Sequence, residues 1–251
     1  MPPAKEPICV FCASSPGNRP IYEQAAISVG QALAENGNQC VYGGGVRGLM
    51  GTVSSACLEA GGQAHGIIPA ALTGRAAEKA VREARSQPDS GAATPASSAS
   101  TDSVEQSTEG SGETVLKGDE SDYGGRYTNE VVKTMHERKL RMAQISTGGF
   151  IVLPGGFGTF EEVMEMVTWN QLRIHRRPVV VLNVNGFYTP LRQQIELAVA
   201  EGFITSSNMS LIKFVDLQSG DEEERDWGKR CMEALEAWVW DIQYPAGIGG
   251  I

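Results

Sequence analysis

The segment 153–162, Leu-Pro-Gly-Gly-Phe-Gly-Thr-Phe-Glu-Glu, combines residue types that could hold an anion and act on it. Its three glycines lack a Cβ atom, so the backbone can approach a ligand closely. Thr159 is predicted to cap the following helix and to offer a hydroxyl group to a phosphate oxygen. Glu161 and Glu162, placed in the first helical turn, are usually only favourable partners of the helix dipole. Beside a loop that favours an anion, two acids are better explained if one acts on the substrate.

This segment is predicted to join a buried strand to a helix. The apolar run 149–153 is typical of a buried strand, and the apolar residues of 163–172 recur at helical spacing. The free N–H groups of the first helical turn, and the positive end of the helix dipole, favour phosphate. A second glycine-rich turn, residues 43–51, follows the predicted strand 39–42 in the same way. Tight packing of a helix on a strand explains this second turn equally well.

The strand–turn–helix pattern repeats along the chain. Strands are predicted at 8–12, 39–42, 64–68, 149–153, 178–182 and 211–215, and helices at 21–35, 48–60, 127–147, 163–172, 188–200 and 227–240. This alternation predicts an α/β fold, a Rossmann-like parallel sheet with helices on both faces, in a single domain. Both glycine turns then lie at the carboxyl ends of strands, where ligands bind in such folds.

Residues 86–122 interrupt this pattern. They are rich in Ser, Thr, Gly and Ala, have no aromatic residue, and contain eight acids and one base. Such a composition buries too little apolar surface to offset the entropy lost on ordering, so we predict a disordered insertion within the domain. The insertion carries −7 of the net charge of −9, which leaves the remaining chain near neutral and without a basic face for nucleic acid.

Composition narrows the function classes. The 251 residues, 41% hydrophobic, suffice for one sizeable core, and no run approaches the roughly 18 apolar residues of a membrane span. The first residues lack the apolar region of a secretory signal, so we expect a cytoplasmic protein. Cys9 and Cys12 have C-x-x-C spacing but lie in a predicted buried strand, and no second such pair completes a zinc set. We expect buried, reduced thiols, no metal and no cofactor.

Two motifs resemble those of the Lonely Guy (LOG) family. Residues 154–162 match its PGGxGTxxE signature, and residues 135–139, Met-His-Glu-Arg-Lys, match its second signature in the expected order. The Gly43–Gly45 turn and the Cys-x-Ser-Ser segment at 12–15 match as well. The resemblance implies a cytokinin riboside 5'-monophosphate phosphoribohydrolase, of a family often mislabelled as lysine decarboxylase. Such an enzyme hydrolyses the N-glycosidic bond of a nucleoside 5'-monophosphate, and its members are typically homodimers.

The resemblance also assigns roles to residues. Glu162 would stabilise an oxocarbenium-like state and orient or deprotonate water, with Arg138 as its catalytic partner. Without that context Arg138 and Lys139 would be a solvated surface pair. Met135 and Phe157 are candidates for the base pocket and equally plausible as packing residues. The predicted substrate- and phosphate-binding residues are Ser14, Gly44, Gly45, Met135, Lys139, Gly155, Gly156, Phe157, Gly158, Thr159, Phe160, Glu161 and Thr168.

One departure from the family pattern leaves two alternatives for the preferred nucleotide substrate. Plant-type members carry an acid shortly after the proline that follows the third strand, whereas residues 69–72 here are Pro-Ala-Ala-Leu. Either another carboxylate substitutes, or the preference for the cytokinin side chain is relaxed and the enzyme is a general AMP or purine nucleotide phosphoribohydrolase. A non-catalytic nucleotide-binding module would not need both Glu162 and Arg138. Lysine decarboxylation would need pyridoxal phosphate on a Schiff-base lysine, for which the core offers no suitable candidate.

Overall fold

The computed structural model describes residues 5–73, 114–117, 123–216 and 226–239, which are organised around one sheet. The strands are β1 (Lys5–Phe11), β2 (Asn38–Tyr42), β3 (Ala64–Pro69), β4 (Thr114–Lys117), β5 (Tyr127–Val132), β6 (Gly149–Val152), β7 (Val179–Leu182) and β8 (Lys213–Val215). The helices are α1 (Pro20–Glu35), α2 (Gly48–Glu59), α3 (Met135–Ile145), α4 (Phe157–Gln171), α5 (Thr189–Ala200) and α6 (Trp227–Glu236).

The sheet has the order β4-β5-β3-β2-β1-β6-β7-β8. Every neighbouring pair is parallel except β4 and β5. The predicted Rossmann-like parallel sheet is therefore confirmed, with one antiparallel strand added at its edge. The chain winds outward from β1 in one direction and from β6 in the other, so the order reverses between these two strands. Ligands of open α/β sheets bind in the crevice at such a reversal, outside the carboxyl ends of the strands.

Alternate residues of the central strands enter two apolar layers, because successive side chains of a strand point to opposite faces. Ile8 and Val10 of β1 belong to a layer with α1, α2 and α6. Cys9 and Phe11 belong to the opposite layer, with α3, α4 and α5. Cys9 and Cys12 are buried free thiols, as predicted, and burial raises the pKa of both. None of the helices within the described ranges has the length and apolar content that crossing a membrane requires.

The predicted helix over 127–147 is wrong in its first part. Residues Tyr127–Val132 form β5, which pairs with β3 in parallel register, and α3 begins only at Met135. This stretch is rich in aromatic and β-branched residues, which favour strands. The Thr134 side chain accepts a hydrogen bond from the Glu137 N–H, and the Glu137 carboxylate accepts one from the Lys133 N–H. This cap, close to a capping box, fixes the start of α3.

The prediction of disorder over residues 86–122 is wrong for four of them. Residues Thr114–Lys117 form β4, antiparallel to β5, with Thr114 opposite Val131 and Lys117 opposite Thr128. The four-residue strand covers an edge of β5 that would otherwise present unpaired backbone groups. The rest of the predicted insertion lies outside the described residues.

Candidate active site

Three loops meet at the carboxyl edge of the sheet, where the strand order reverses. The Ala13 N–H donates to the Pro154 carbonyl over 3.1 Å, and the Met50 N–H donates to the Ala13 carbonyl over 3.3 Å. Gly48, with φ of +60°, lies so close to the Ser14 backbone that any Cβ would collide with it. The loops that follow β1, β2 and β6 are thus held together, and both glycine-rich turns contribute to one crevice.

Arg138 and Glu162, the predicted catalytic pair, meet in this crevice. Arg138 Nη2 lies 3.5 Å from Glu162 Oε1, and the two side chains are only 12% and 9% exposed. Arg138 comes from the first turn of α3 and Glu162 from α4. The guanidinium group lies directly on Gly43, where a Cβ would overlap Nη2. The absence of a side chain at Gly43 therefore allows Arg138 to reach Glu162.

The Glu162 carboxyl group has a pKa close to neutral pH. Burial raises its pKa from the ordinary value of 4.5 to about 7, and the Arg138 charge opposes this rise. Glu161 and Glu165 also raise the pKa of Glu162, whereas Lys139 lowers it. A carboxyl group with a pKa near neutrality can take up or release a proton at physiological pH, which general acid–base catalysis requires.

The N-terminus of α4 differs from the sequence prediction. Gly156 is the N-cap, no side-chain cap is formed, and the first turn contains no acidic residue. Thr159 is therefore not the cap; it is buried, and its side chain packs against Gly155 where a Cβ would collide. Glu161 and Glu162 lie one turn further along the helix than predicted. An uncapped helix N-terminus without nearby acids favours an anionic ligand.

Lys139, predicted to neutralise a phosphate, contacts two carboxylates of α4. Its ammonium group donates to Glu161 and lies 3.2 Å from the Glu165 carboxylate. The Lys139 side chain is 13% exposed. The hydrogen bond to Glu161, with a further contribution from Glu165, raises the pKa of Lys139.

The other predicted residues lie at the rim of the crevice or along α4. Gly44 packs on Ile68 and Gly45 on Met50. The Met135 thioether lies 4.0 Å from Arg138 Nη1. Phe157 is 92% exposed at the start of α4, and Gly158 next to it has open space around it.

Phe160 and Thr168 lie further along α4. Phe160 packs on Phe187 and Tyr188, with ring centroids 6.3 and 6.2 Å away. Thr168 is exposed and donates its hydroxyl to the Met164 carbonyl of its own helix, so its role near a ligand stays a prediction.

Sequence reasoning missed two residues near the pair of Arg138 and Glu162. Tyr188 is buried and donates its hydroxyl to the Leu153 carbonyl over 2.9 Å, which supports the start of the glycine loop from behind. No local sequence pattern marks it. Glu165 could have been found, because it stands four residues after Glu161 and so on the same face of α4. In the described ranges no group of three or more His, Cys, Asp or Glu side chains is placed to hold a metal ion.

Two cavities of about 440 Å³ each lie away from the crevice. One lies between α1 and α6, and the other lies beside the start of β1 and the end of α6. None of the predicted site residues lines either cavity. The predicted catalytic pair is therefore distinguished by its chemistry and its place at the strand reversal, not by cavity size.

Solved structures with the same fold include two proteins of low sequence similarity. A molybdenum cofactor binding protein from the phototrophic bacterium Rippkaea orientalis has a TM-score of 0.52 and 18% identity, over 92% of this chain and 96% of that one. A Moco carrier protein from Chlamydomonas reinhardtii has a TM-score of 0.51 and 16% identity, over 94% of this chain and 100% of that one. At such identities the likeness shows the fold alone.

Sequence relatives are much closer. A probable cytokinin riboside 5'-monophosphate phosphoribohydrolase of Oryza sativa subsp. japonica is 38% identical over 82% of this chain and 72% of its own length. A second rice relative, cytokinin riboside 5'-monophosphate phosphoribohydrolase LOG, is 35% identical over 95% of this chain and 79% of its own length. A cytokinin riboside 5'-monophosphate phosphoribohydrolase of Arabidopsis thaliana, LOG2, is 38% identical over 82% of this chain and 75% of its own length. Family models described as "Possible lysine decarboxylase" and "SLOG cluster4 family" match residues 50–220 and 6–84. The chain belongs to the LOG family.

Proposed function

We propose that this protein is a phosphoribohydrolase that cleaves the N-glycosidic bond of cytokinin riboside 5'-monophosphates, releasing the free base and ribose 5-phosphate. The observation that carries the proposal is the buried pair of Arg138 and Glu162, 3.5 Å apart, at the strand reversal. Relatives named for this reaction, 35–38% identical over most of the chain, support it. Simple phosphate binding needs no carboxylate whose pKa is raised to about 7.

Glu162 is the group that acts at the ribosyl carbon. As the bond to the base breaks, positive charge develops on that carbon, and an ionised carboxylate beside it stabilises the charge. The attacking water forms the new C–O bond at the ribosyl carbon and gives a proton to Glu162. The base leaves with the electron pair of the broken C–N bond and takes up a proton from solvent, to which Glu162 afterwards releases its own. Arg138 keeps the Glu162 carboxylate in place and favours its ionised form, because it lowers the pKa that burial raises.

The 5'-phosphate is proposed to lie on the glycine-rich turns. Gly155, Gly156, Gly158 and the Gly44–Gly45 turn offer backbone N–H groups without side chains of their own, and α4 presents an uncapped N-terminus beside them. Ser14 and Thr159 contribute hydroxyl groups from the same crevice. Met135 and the exposed Phe157 provide apolar surface at its rim, which suits a purine base with an N6 substituent.

A homodimer formed through α4 is proposed as the working unit. Phe157, Phe160 and Met164 recur at helical spacing along α4 and are 92%, 37% and 36% exposed, and Leu172 directly after the helix is 58% exposed. Exposed apolar side chains grouped in this way mark an interaction surface, and its start borders the glycine loop. Replacing Leu172 with Glu should convert a dimer into a monomer in light scattering after size exclusion. A wild-type monomer at micromolar concentration would contradict the proposal.

A general purine nucleotide phosphoribohydrolase is the second candidate, for one specific reason. The turn Ala70–Leu72 after β3 is exposed and contains no acid. A site that lacks a hydrogen-bonding group at this position loses one means of selecting among nucleotides. Equal cleavage of AMP and of its N6-substituted analogue would favour this candidate.

Product analysis decides between these activities. The protein is incubated separately with isopentenyladenosine 5'-monophosphate and with AMP, and released bases are separated by chromatography. We expect isopentenyladenine in clear excess over adenine. Glu162→Gln should release neither base while still binding AMP, and Glu196→Gln on the exposed face of α5 is the matched control with full activity. The absence of any base from the wild type would contradict the enzyme and favour a binding module.

A further inference from the structure

Lys139 and Glu165 connect the two helices that carry the catalytic pair. Lys139 follows Arg138 on α3, and its Nζ atom lies 3.2 Å from the Glu165 carboxylate on α4. The same ammonium group donates to Glu161, the neighbour of Glu162. Lys139 and Glu165 are 13% and 20% exposed, so solvent screens their contact less than that of an exposed surface pair. The cross-helix contact thus spans one turn of α4 directly beside Glu162.

The charge around Lys139 is unfavourable for a phosphate. One ammonium group faces two carboxylates, so this cluster carries a net charge of −1. An incoming phosphate dianion would meet both Glu161 and Glu165, and like charges at close range oppose its binding. The uncapped start of α4 has no acid in its first turn and suits the phosphate better.

Arg138, in contrast, has few contacts that fix its position. Its distance to Glu162, 3.5 Å, is long for a charge-assisted hydrogen bond. Its Nε atom is buried and has no hydrogen-bond partner within the described part of the chain. Since Arg138 and Lys139 are consecutive on α3, a contact that fixes Lys139 against α4 also limits where Arg138 can lie.

We propose that Glu165 is a positioning residue for the reaction: through Lys139 it holds α3 against α4 so that Arg138 faces Glu162, and Lys139 is not a ligand of the substrate's phosphate. The effect on turnover rests on the proposed function, whereas the coupling between Lys139 and Glu165 and its consequence for phosphate binding do not.

The two residues of this bridge act on Glu162 in opposite directions. Charged and titratable groups from several elements interact with Glu162 through its pKa or its charge. They are Arg138 and Lys139 from α3, Glu161 and Glu165 from α4, Cys9 and Cys12 on or after β1, and Tyr188 before α5. Lys139 lowers the pKa of Glu162 and Glu165 raises it. Loss of Lys139 should therefore move the pH profile of kcat to higher pH, and loss of Glu165 should move it to lower pH.

The test is a double-mutant cycle with Lys139→Met and Glu165→Gln. Each single substitution should lower kcat by about tenfold or more, because small misplacements of catalytic groups have effects of this size. The kcat of the double variant should be no lower than that of the less active single variant, since both substitutions remove the same contact. The dissociation constant of AMP divided by that of adenosine should stay within about twofold of wild type in all variants. Glu196→Gln, on the exposed face of α5, is the matched control with unchanged kcat.

Three results would overturn the proposal. In the first, Lys139→Met weakens AMP binding tenfold or more with adenosine binding unchanged, while Glu165→Gln does not, which identifies a phosphate ligand. In the second, the losses of kcat in the two single variants multiply in the double variant. In the third, both single variants shift the pH profile in the same direction. If Lys139→Met fails to fold, Glu165→Gln alone decides, because unchanged kcat and an unchanged pH profile contradict the positioning role. If the wild type shows no turnover, the proposed function fails. The double-mutant cycle measured by thermal unfolding, and the ratio of the AMP and adenosine dissociation constants, still test the contact between Lys139 and Glu165.

Discussion

Glu162→Gln should make this protein more stable at alkaline pH although it removes the proposed catalytic group. Burial raises the pKa of Glu162 from 4.5 to about 7 even with Arg138 3.5 Å away. A carboxyl group whose pKa is higher in the folded chain binds its proton more tightly there than in the unfolded chain. Its contribution to stability is therefore complete below pH 4.5 and is lost as the pH rises through about 7. Glutamine mimics the protonated acid and does not lose this contribution.

The size of the effect follows from the change in pKa. One pKa unit corresponds to about 1.4 kcal/mol, so the rise from 4.5 to about 7 destabilises the folded wild type by on the order of 3 kcal/mol once Glu162 is ionised. For a domain of this size, 1 kcal/mol shifts the Tm by roughly 2–4 °C. The glutamine variant should thus melt roughly 6–12 °C above the wild type at alkaline pH. At acid pH, where both side chains are neutral, the two proteins should differ by less than about 1 kcal/mol.

The assay is thermal unfolding at about pH 5 and about pH 8.5 with wild type, Glu162→Gln and Glu196→Gln at one protein concentration. The exposed Glu196 controls for the loss of one negative charge on the surface. A Tm difference between Glu162→Gln and wild type that is the same at both pH values would refute the reasoning. It would mean that Glu162 is ionised in the folded chain without a penalty from burial.

Two substitutions and a pair of deletions test the geometry further. Gly43→Ala should lower kcat at least tenfold, because a Cβ there overlaps the Arg138 guanidinium group; wild-type kinetics would contradict the packing at this glycine. Gly158→Ala, whose Cβ meets open space, should leave the Tm unchanged and weaken AMP binding in calorimetry, and unchanged affinity would place the phosphate elsewhere. Deleting residues 86–113 should leave Tm and activity nearly unchanged, whereas deleting 86–122 also removes β4 and should lower the Tm; equal Tm values would show that this edge strand adds no stability.

The framework of the fold follows from local sequence patterns. Strand β6 consists of apolar residues only, because helices cover both faces of the sheet, and such runs are easily identified. The glycines of residues 43–48 and Gly155 fit the structure, because a Cβ atom at each of these positions would collide with a neighbouring residue. The pairing of Arg138 with Glu162, however, joins residues 24 positions apart on two helices. It could be expected only from the family resemblance.

The errors have physical causes of a different kind. Residues Tyr127–Val132 lead directly into a helix, but their aromatic and β-branched side chains favour a strand, and they pair with β3. Strand β4 contains just four residues in a polar segment, so its identity depends entirely on its partner β5. Thr159 is a good capping residue by type, yet the helix begins two residues earlier at Phe157. For β4 and β5, pairing with a strand distant in sequence completes an element that a local reading does not identify.

Three departures from the rules of stable folding lie together at the carboxyl edge of the sheet. Glu162 is a buried carboxyl group with a raised pKa, Arg138 Nε is buried without a described partner, and α4 starts without a side-chain cap. Each feature destabilises the folded chain, and each becomes favourable only when a ligand supplies a positive centre, an acceptor or an anion at that place. A nucleoside 5'-monophosphate in the transition state of hydrolysis supplies a positive centre at its ribosyl carbon and an anion at its phosphate. A ribose hydroxyl oxygen can accept a hydrogen bond from Arg138 Nε. This predicts that Arg138→Lys, which lacks that N–H group, weakens binding of AMP more than binding of ribose-free phosphate.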